Sequence, residues 1–135
     1  MPLSRGLFTT GDGEWHTPKE LLNALQMEFS DDGPFFDPCP GGTADGLDIP
    51  WMGNVYCNPP YGRAISKWIE KGIGEIRSGN AEQIVWLLPA RTDTRWFHRD
   101  IYGRAEIRFL KGRLKFGNRG TPAPFPSMVV IWRPK

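Results

Sequence analysis

Apolar residues recur along this chain in two rhythms. Leu21, Leu22, Leu25 and Phe29 fall on one helical face. Thr17-Pro18-Lys19-Glu20 precedes them: Thr17 can cap a helix, Pro18 suits its first position, and Glu20 can reach back to complete a capping box. A helix is therefore predicted over about 18–29. Ile65, Trp68, Ile69, Ile73 and Ile76 repeat the rhythm and predict a second helix over about 63–77, stopped by Ser78-Gly79-Asn80. A third, short helix at about 93–101 carries Trp96, Phe97 and Ile101.

The other rhythm belongs to strands. Phe35-Phe36-Asp37 reads as a short buried strand ending in the turn Pro38-Cys39-Pro40-Gly41-Gly42. Asn54-Val55-Tyr56-Cys57 is a second, ending in Asn58-Pro59-Pro60-Tyr61. The unbroken run from Gln83 to Leu88 has the composition of a central strand. Residues 106–110 and 113–116 alternate apolar and basic side chains around Lys111-Gly112, which predicts two strands or a hairpin. A Gly- and Pro-rich loop from Gly117 to Pro126 leads into a last strand, Ser127 to Trp132. The βα alternation at the front implies a parallel α/β sheet flanked by helices, and the β-rich back implies an antiparallel edge. Ligands of such sheets bind at the carboxyl ends of strands. The turns 37–42 and 58–62 both lie there.

With 135 residues and 15.3 kDa the chain is expected to form one domain, 15–135, behind a loose polar arm, 1–14. No apolar run approaches the roughly 20 residues of a membrane span, and no signal pattern opens the chain. Two cysteines, Cys39 and Cys57, are too few for a disulfide scaffold and lack metal-ligand spacing, so no metal is expected and a reducing cytoplasm is the default. The net charge of +2 says little, but its distribution says more. Residues 1–62 carry nine acidic and two basic side chains, whereas residues 91–119 carry nine basic and three acidic ones. That asymmetry suggests a polyanion as partner of the C-terminal part.

Asn58-Pro59-Pro60-Tyr61-Gly62 is the most informative segment. Two prolines fix two φ angles and remove two N–H donors, so the turn is stiff and its carbonyls lack local donors. An amide, a carbonyl and an aromatic ring are held together, a set suited to a planar group bearing an amine. The Asn58 side-chain oxygen and the Pro59 carbonyl can each accept one amine N–H. Acceptors off the ring plane draw the nitrogen toward a tetrahedral geometry and make its lone pair nucleophilic. Tyr61 can stack on the ring.

This turn resembles the catalytic motif of amino-group methyltransferases that use S-adenosylmethionine. Further segments extend the resemblance: Trp15-x-Thr17-Pro18, Phe36-Asp37-Pro38-Cys39, Asp45-Gly46-Leu47, Trp51, Trp68, Leu88 to Thr94, Trp96-Phe97-His98 and Pro124 to Ser127. Together they are similar to the phage-type DNA N-6-adenine methyltransferase family over roughly residues 15–133. The resemblance implies a compact Rossmann-like methyltransferase sheet, mostly parallel with an antiparallel C-terminal edge, that methylates the exocyclic amine of adenine in DNA in the host cytoplasm. It implies catalytic roles for Asn58, Pro59, Pro60 and Tyr61. It implies S-adenosylmethionine as cofactor, bound by Asp37, Pro38 and Cys39 with Asp45 as a second ribose or amino contact and Thr17-Pro18 beside the methionine end. It further implies nucleic-acid contacts from Arg63, Arg91, Thr94, Arg95 and Arg119, with the target base extruded from the duplex. Pro40-Gly41-Gly42 departs from the Gly-x-Gly loop usual in methyltransferases.

The chain has no room for a separate target-recognition domain, since a methyltransferase that carries one needs roughly 200 residues or more. Weak or very short sequence specificity is expected, or a second copy that completes the DNA cleft as a homodimer. Two other readings fit the same residues. One is a methyltransferase acting on RNA or on a protein glutamine amide. The other is a catalytically silent nucleic-acid-binding protein with the same fold.

Overall fold

The computed structural model describes residues 15–40, 45–117 and 119–133. The expected arm 1–14 and the glycines Gly41 and Gly42 of the first turn lie outside them. In chain order the main elements are helix α1 (Lys19–Glu28), strand β1 (Gly53–Cys57), helix α2 (Ile65–Ser78), strand β2 (Ala81–Pro89), a π-helical turn (Phe97–Ile101), and strands β3 (Glu106–Phe109) and β4 (Ser127–Trp132). The expected helices and main strands are present with small shifts of their ends. Gly79, at φ +88°, closes α2 in the left-handed conformation open to glycine.

The four strands form one sheet in the order β1-β2-β4-β3. β1 pairs parallel with β2, while β4 pairs antiparallel with both β2 and β3. The expectation of a mostly parallel, Rossmann-like sheet with an antiparallel edge is therefore overturned. Two of the three ladders are antiparallel, and the antiparallel strand is internal. The side chains explain that placement. All of Ser127 to Ile131 is buried, the pattern of a strand covered on both faces. β3 reads Glu-Ile-Arg-Phe, is half-exposed, and its charges suit an edge.

Two predicted strands do not form. Phe35-Phe36-Asp37 is reduced to a single parallel bridge between Phe36 and Val55, made by Phe36 N–H to Asn54 O at 2.8 Å and Tyr56 N–H to Phe36 O at 2.9 Å. Pro34 and Pro38 flank it, and neither can donate to a longer ladder. Residues 113–116 form no strand. Leu114 and Phe116 instead pack below the sheet, and the Leu114 carbonyl accepts Ala123 N–H at 2.8 Å.

Strand periodicity sorts the core into two layers. Val55, Cys57, Ile84, Trp86, Leu88, Met128 and Val130 pack with α2, whereas Tyr56, Val85, Leu87, Val129 and Ile131 pack with α1 and Phe116. The α1 end is tied to the sheet by a buried polar chain. Asn54 Nδ2 donates to Gly33 O at 2.9 Å, Gln83 Nε2 donates to Asn54 Oδ1 at 2.9 Å, and Arg133 Nε donates to Gln83 Oε1 at 2.9 Å. A close approach fixes α2 on β2: a Cβ at Gly72 would stand 2.5 Å from the buried Trp86 ring. Gly72→Ala gains about 1 kcal/mol of helix propensity but overpacks this contact at about 1–3 kcal/mol. The expected outcome is a lower Tm in a thermal melt; an unchanged or raised Tm would show that α2 can move off the strand.

Candidate active site

β1 delivers the Asn-Pro-Pro-Tyr turn to the end of the sheet, and the segment 15–18 crosses beside it. Asn58 is 9% exposed. Its Nδ2 donates to the Trp15 carbonyl in a short hydrogen bond and to Thr17 Oγ1 at 3.2 Å. A backbone carbonyl only accepts, so the amide is fixed with its nitrogen on that side. Its oxygen, Oδ1, is buried and has no hydrogen-bond partner among the described residues. An acceptor left in this state costs about 1–3 kcal/mol and is set to receive an N–H from outside the chain.

Thr17 has a different task from the expected cap. α1 begins at Lys19 with Pro18 before it, and no side chain caps it. The Thr17 hydroxyl instead meets the Tyr56 hydroxyl at 2.5 Å and accepts from Asn58. Tyr56 is 1% exposed, and burial pushes its phenol well above the usual tyrosine range, so it remains a neutral donor. Tyr56, Thr17 and Asn58 thus form one buried chain of hydrogen bonds. Tyr56 reads in the sequence as a core strand residue. Its spacing of two from Asn58, which puts both side chains on one face of a strand, is the signal of its position.

Trp15, His16, Thr17, Leu22, Asp37, Cys39, Pro40, Tyr56 and Asn58 together line a cavity of about 270 Å3. Thr17, Asp37, Cys39 and Asn58, expected at the site, therefore meet there; Trp15, His16, Leu22, Pro40 and Tyr56 are not among the expected ligands. Asp37 Oδ1 accepts Cys39 N–H at 2.8 Å, an Asx-turn that orients the carboxylate. Burial raises the Asp37 pKa above the usual aspartate value, partly offset by that hydrogen bond. No cation pairs with it among the described residues. Pro18 and Pro38 support the two segments without lining the cavity. Asp45 is exposed on a single 3-10 turn, Asp45–Asp48. Its neighbour Gly46 has a packing role, because a Cβ there would stand 2.0 Å from the Pro38 carbonyl.

Tyr61 is packed. Its hydroxyl donates to Leu87 O at 3.3 Å, and its ring meets Trp15, Phe116 and Phe125 at centroid distances of 6.4, 6.2 and 5.4 Å. These contacts hold the far side of the turn, and Pro59 within it is buried.

At the Gly62 end of the turn lies a cavity of about 400 Å3 lined by Gly62, Arg63, Ile65, Pro89, Arg91, Thr94 and Trp96. It gathers three of the five residues expected to meet nucleic acid. Arg91 lies over the Phe125 ring at 5.8 Å. The Thr94 hydroxyl donates to Arg91 O at 2.7 Å and accepts Phe97 N–H at 3.4 Å, which caps the following helical turn. Arg95 is exposed on that turn and lines neither cavity. Arg119 stacks on the Trp15 indole at 4.1 Å and also lines neither. It braces the strap that carries the Trp15 carbonyl.

Residues 42–135 match the family model described as DNA N-6-adenine-methyltransferase (Dam). No curated protein matches the chain. The matched stretch holds the Asn58 turn and the basic cavity, while Trp15 to Asp37 precede it. Tyr56→Phe would leave the Thr17–Asn58 bond in place but remove the buried phenol. A loss of about 1 kcal/mol in urea unfolding is expected, and an unchanged midpoint would show the Tyr56–Thr17 bond to be dispensable.

Proposed function

The chain belongs to the DNA N-6-adenine-methyltransferase family, and from that premise we propose that it moves the methyl group of S-adenosylmethionine to the exocyclic amine of adenine, with Asn58 gripping the amine. The observation that carries this reading is the buried Asn58 Oδ1, which has no hydrogen-bond partner among the described residues, beside a cavity holding the Asp37 carboxylate.

An adenine amine has two N–H donors. Asn58 Oδ1 would take one and the Pro59 carbonyl the other, both off the plane of the ring. The nitrogen lone pair then delocalises less into the ring and can attack. The Trp15 carbonyl keeps Asn58 from turning its own NH2 toward the amine, where donor would face donor. Tyr61, anchored through Leu87 and packed against Phe116 and Phe125, holds the turn in place and lines neither cavity. The proton of the methylated nitrogen leaves to water, because that nitrogen is positively charged and acidic.

The residues lining the cavity beside Asn58 suit the methyl donor, which when bound would supply an electrophilic methyl group. The Asp37 carboxylate suits its ammonium or its ribose hydroxyls, and Thr17 and Cys39 line the same space. Arg63 and Arg91 in the cavity at the Gly62 end of the turn, with Arg95 nearby in sequence, suit the phosphates flanking an extruded base. Asn58 lines the first space and Gly62, at the end of the same turn, lines the second, so cofactor and base would meet at the turn. No helix among the described residues is long and apolar enough to cross a membrane. Cys39 and Cys57 are buried and form no disulfide with each other, which suits work in a reducing cytoplasm.

Asn58→Ala is expected to lower kcat for DNA methylation about 10²–10³-fold, the scale of losing one aimed hydrogen-bond partner, while circular dichroism stays native. Retained activity would remove Asn58 from its role. Asp37 adds a pH dependence. Its ionised form pairs with an ammonium, so affinity for S-adenosylmethionine is complete above its raised pKa and is lost as pH falls through it. The loss should start at higher pH than an ordinary aspartate, near 3.9, would give. Calorimetric titration across pH checks this; an affinity independent of pH, or an Asp37→Asn variant as tight as wild type, would contradict it.

A further inference from the structure

A larger cavity, of about 680 Å3, lies on the α2 face of the sheet. Ile73 and Ile76 of α2 and Trp132 of β4 form its apolar wall. It shares no lining residue with the cavity at Asn58, whose Tyr56 and Leu22 belong to the layer on the opposite face. Trp132 pairs with Ile84, near the start of β2, so it lies toward the end of the sheet away from the turn at Asn58.

Four arginines and one carboxylate, Asp100, complete the lining. Two of the arginines are engaged. Arg99 meets Asp100 at 2.8 Å and Glu70 at 3.2 Å. Arg133 meets Glu106 at 3.5 Å and donates to Gln83 at 2.9 Å. Arg77 and Arg104 have no ion pair or side-chain hydrogen bond among the described residues. Two guanidinium groups without an ion partner among the described residues leave the cavity a local positive charge that an anion would offset. Guanidinium geometry suits the oxygens of a phosphate. The volume falls within the range of small-ligand sites, and the indole with two isoleucines suits a planar ring. A nucleotide carries both features, a phosphate and a planar ring, joined through a sugar.

We propose that this cavity is a second nucleotide-binding site, with the phosphate on Arg77 and Arg104 and the base against Trp132, Ile73 and Ile76. The nucleotide could come free from solution or as one unit of a nucleic-acid strand, and the test separates these sources. The site uses no residue of the methyl-transfer reading and stands independently of it.

The test is equilibrium binding of dAMP, of a 5′-phosphorylated single-stranded hexanucleotide and of inorganic phosphate to the full chain. Wild type is compared with Arg77→Glu/Arg104→Glu and with Arg77→Lys/Arg104→Lys. Both arginines are exposed, so the variants are expected to fold, with circular dichroism as the check. The Glu pair should weaken nucleotide binding at least about tenfold, as expected for losing charge-assisted hydrogen bonds, and the Lys pair should restore part of it. Weakening with dAMP assigns a free nucleotide; weakening with the hexanucleotide alone assigns a strand. Equal binding by wild type and the Glu pair in both arms overturns the proposal, as does inorganic phosphate binding as tightly as dAMP. DNA methylation is measured alongside. Its absence in wild type counts against the methyl-transfer reading only, and unchanged nucleotide binding in the Glu pair counts against the second site only.

Discussion

The Trp15 carbonyl and the Thr17 hydroxyl take the donors of Asn58 and leave its acceptor buried without a partner among the described residues. Much of the surrounding structure serves that arrangement. β1 ends where Asn58 must stand, and two prolines stop the chain from supplying a local N–H to the turn. The strap 15–18 has to lie beside the turn for its carbonyl to reach. It is held by Gly117 N–H to His16 O at 2.9 Å, by the Trp15 ring against Phe116 and Phe125, and by Arg119 on the indole. A loop far along the chain thereby sets the rotamer of a residue in its middle.

That dependence explains what could be read from the sequence. The Asn58 turn is local chemistry: Asn, two prolines and an aromatic ring carry their meaning in four consecutive positions. Helix α2 and strands β2 and β4 are legible because their apolar periods are long and unbroken. Asp37, Cys39 and Thr17 lie with Asn58 around one cavity. The Trp15 carbonyl is another matter, because no side-chain pattern announces which backbone carbonyl will face an amide. Thr17 shows how two local meanings compete: its sequence context is that of a cap, and its tertiary partner Tyr56 claims the hydroxyl instead.

The sheet topology was hidden for a related reason. Alternation of strands and helices at the front of the chain suggested a mostly parallel sheet with antiparallel pairing only at its C-terminal edge. The pairing of β4 between β2 and β3 is set by which strand can bury both faces, and Ser127 to Ile131 can, whereas Glu106 and Arg108 cannot. The carboxyl ends of β1 and β2 still lie side by side, since Cys57 is in register with Trp86. One parallel pair is therefore enough to place the Asn58 turn and the Arg91 segment at the same edge. The basic side chains divide by their partners. Arg108 is spent on Glu28 and Glu106 and lies over Phe29, which makes it a structural clamp at the β3 edge. Arg63 and Arg91 face the cavity next to the turn.

The central claim is that this turn receives an adenine amine. Its most direct test is product analysis: incubation of the protein with S-adenosylmethionine labelled in the methyl group and with DNA, RNA and a protein extract in parallel, followed by digestion and mass spectrometry. The account predicts label on N6 of deoxyadenosine from the DNA sample. Label confined to RNA, to a protein glutamine or to cytosine, or no transfer by a folded protein that binds the cofactor, would contradict it.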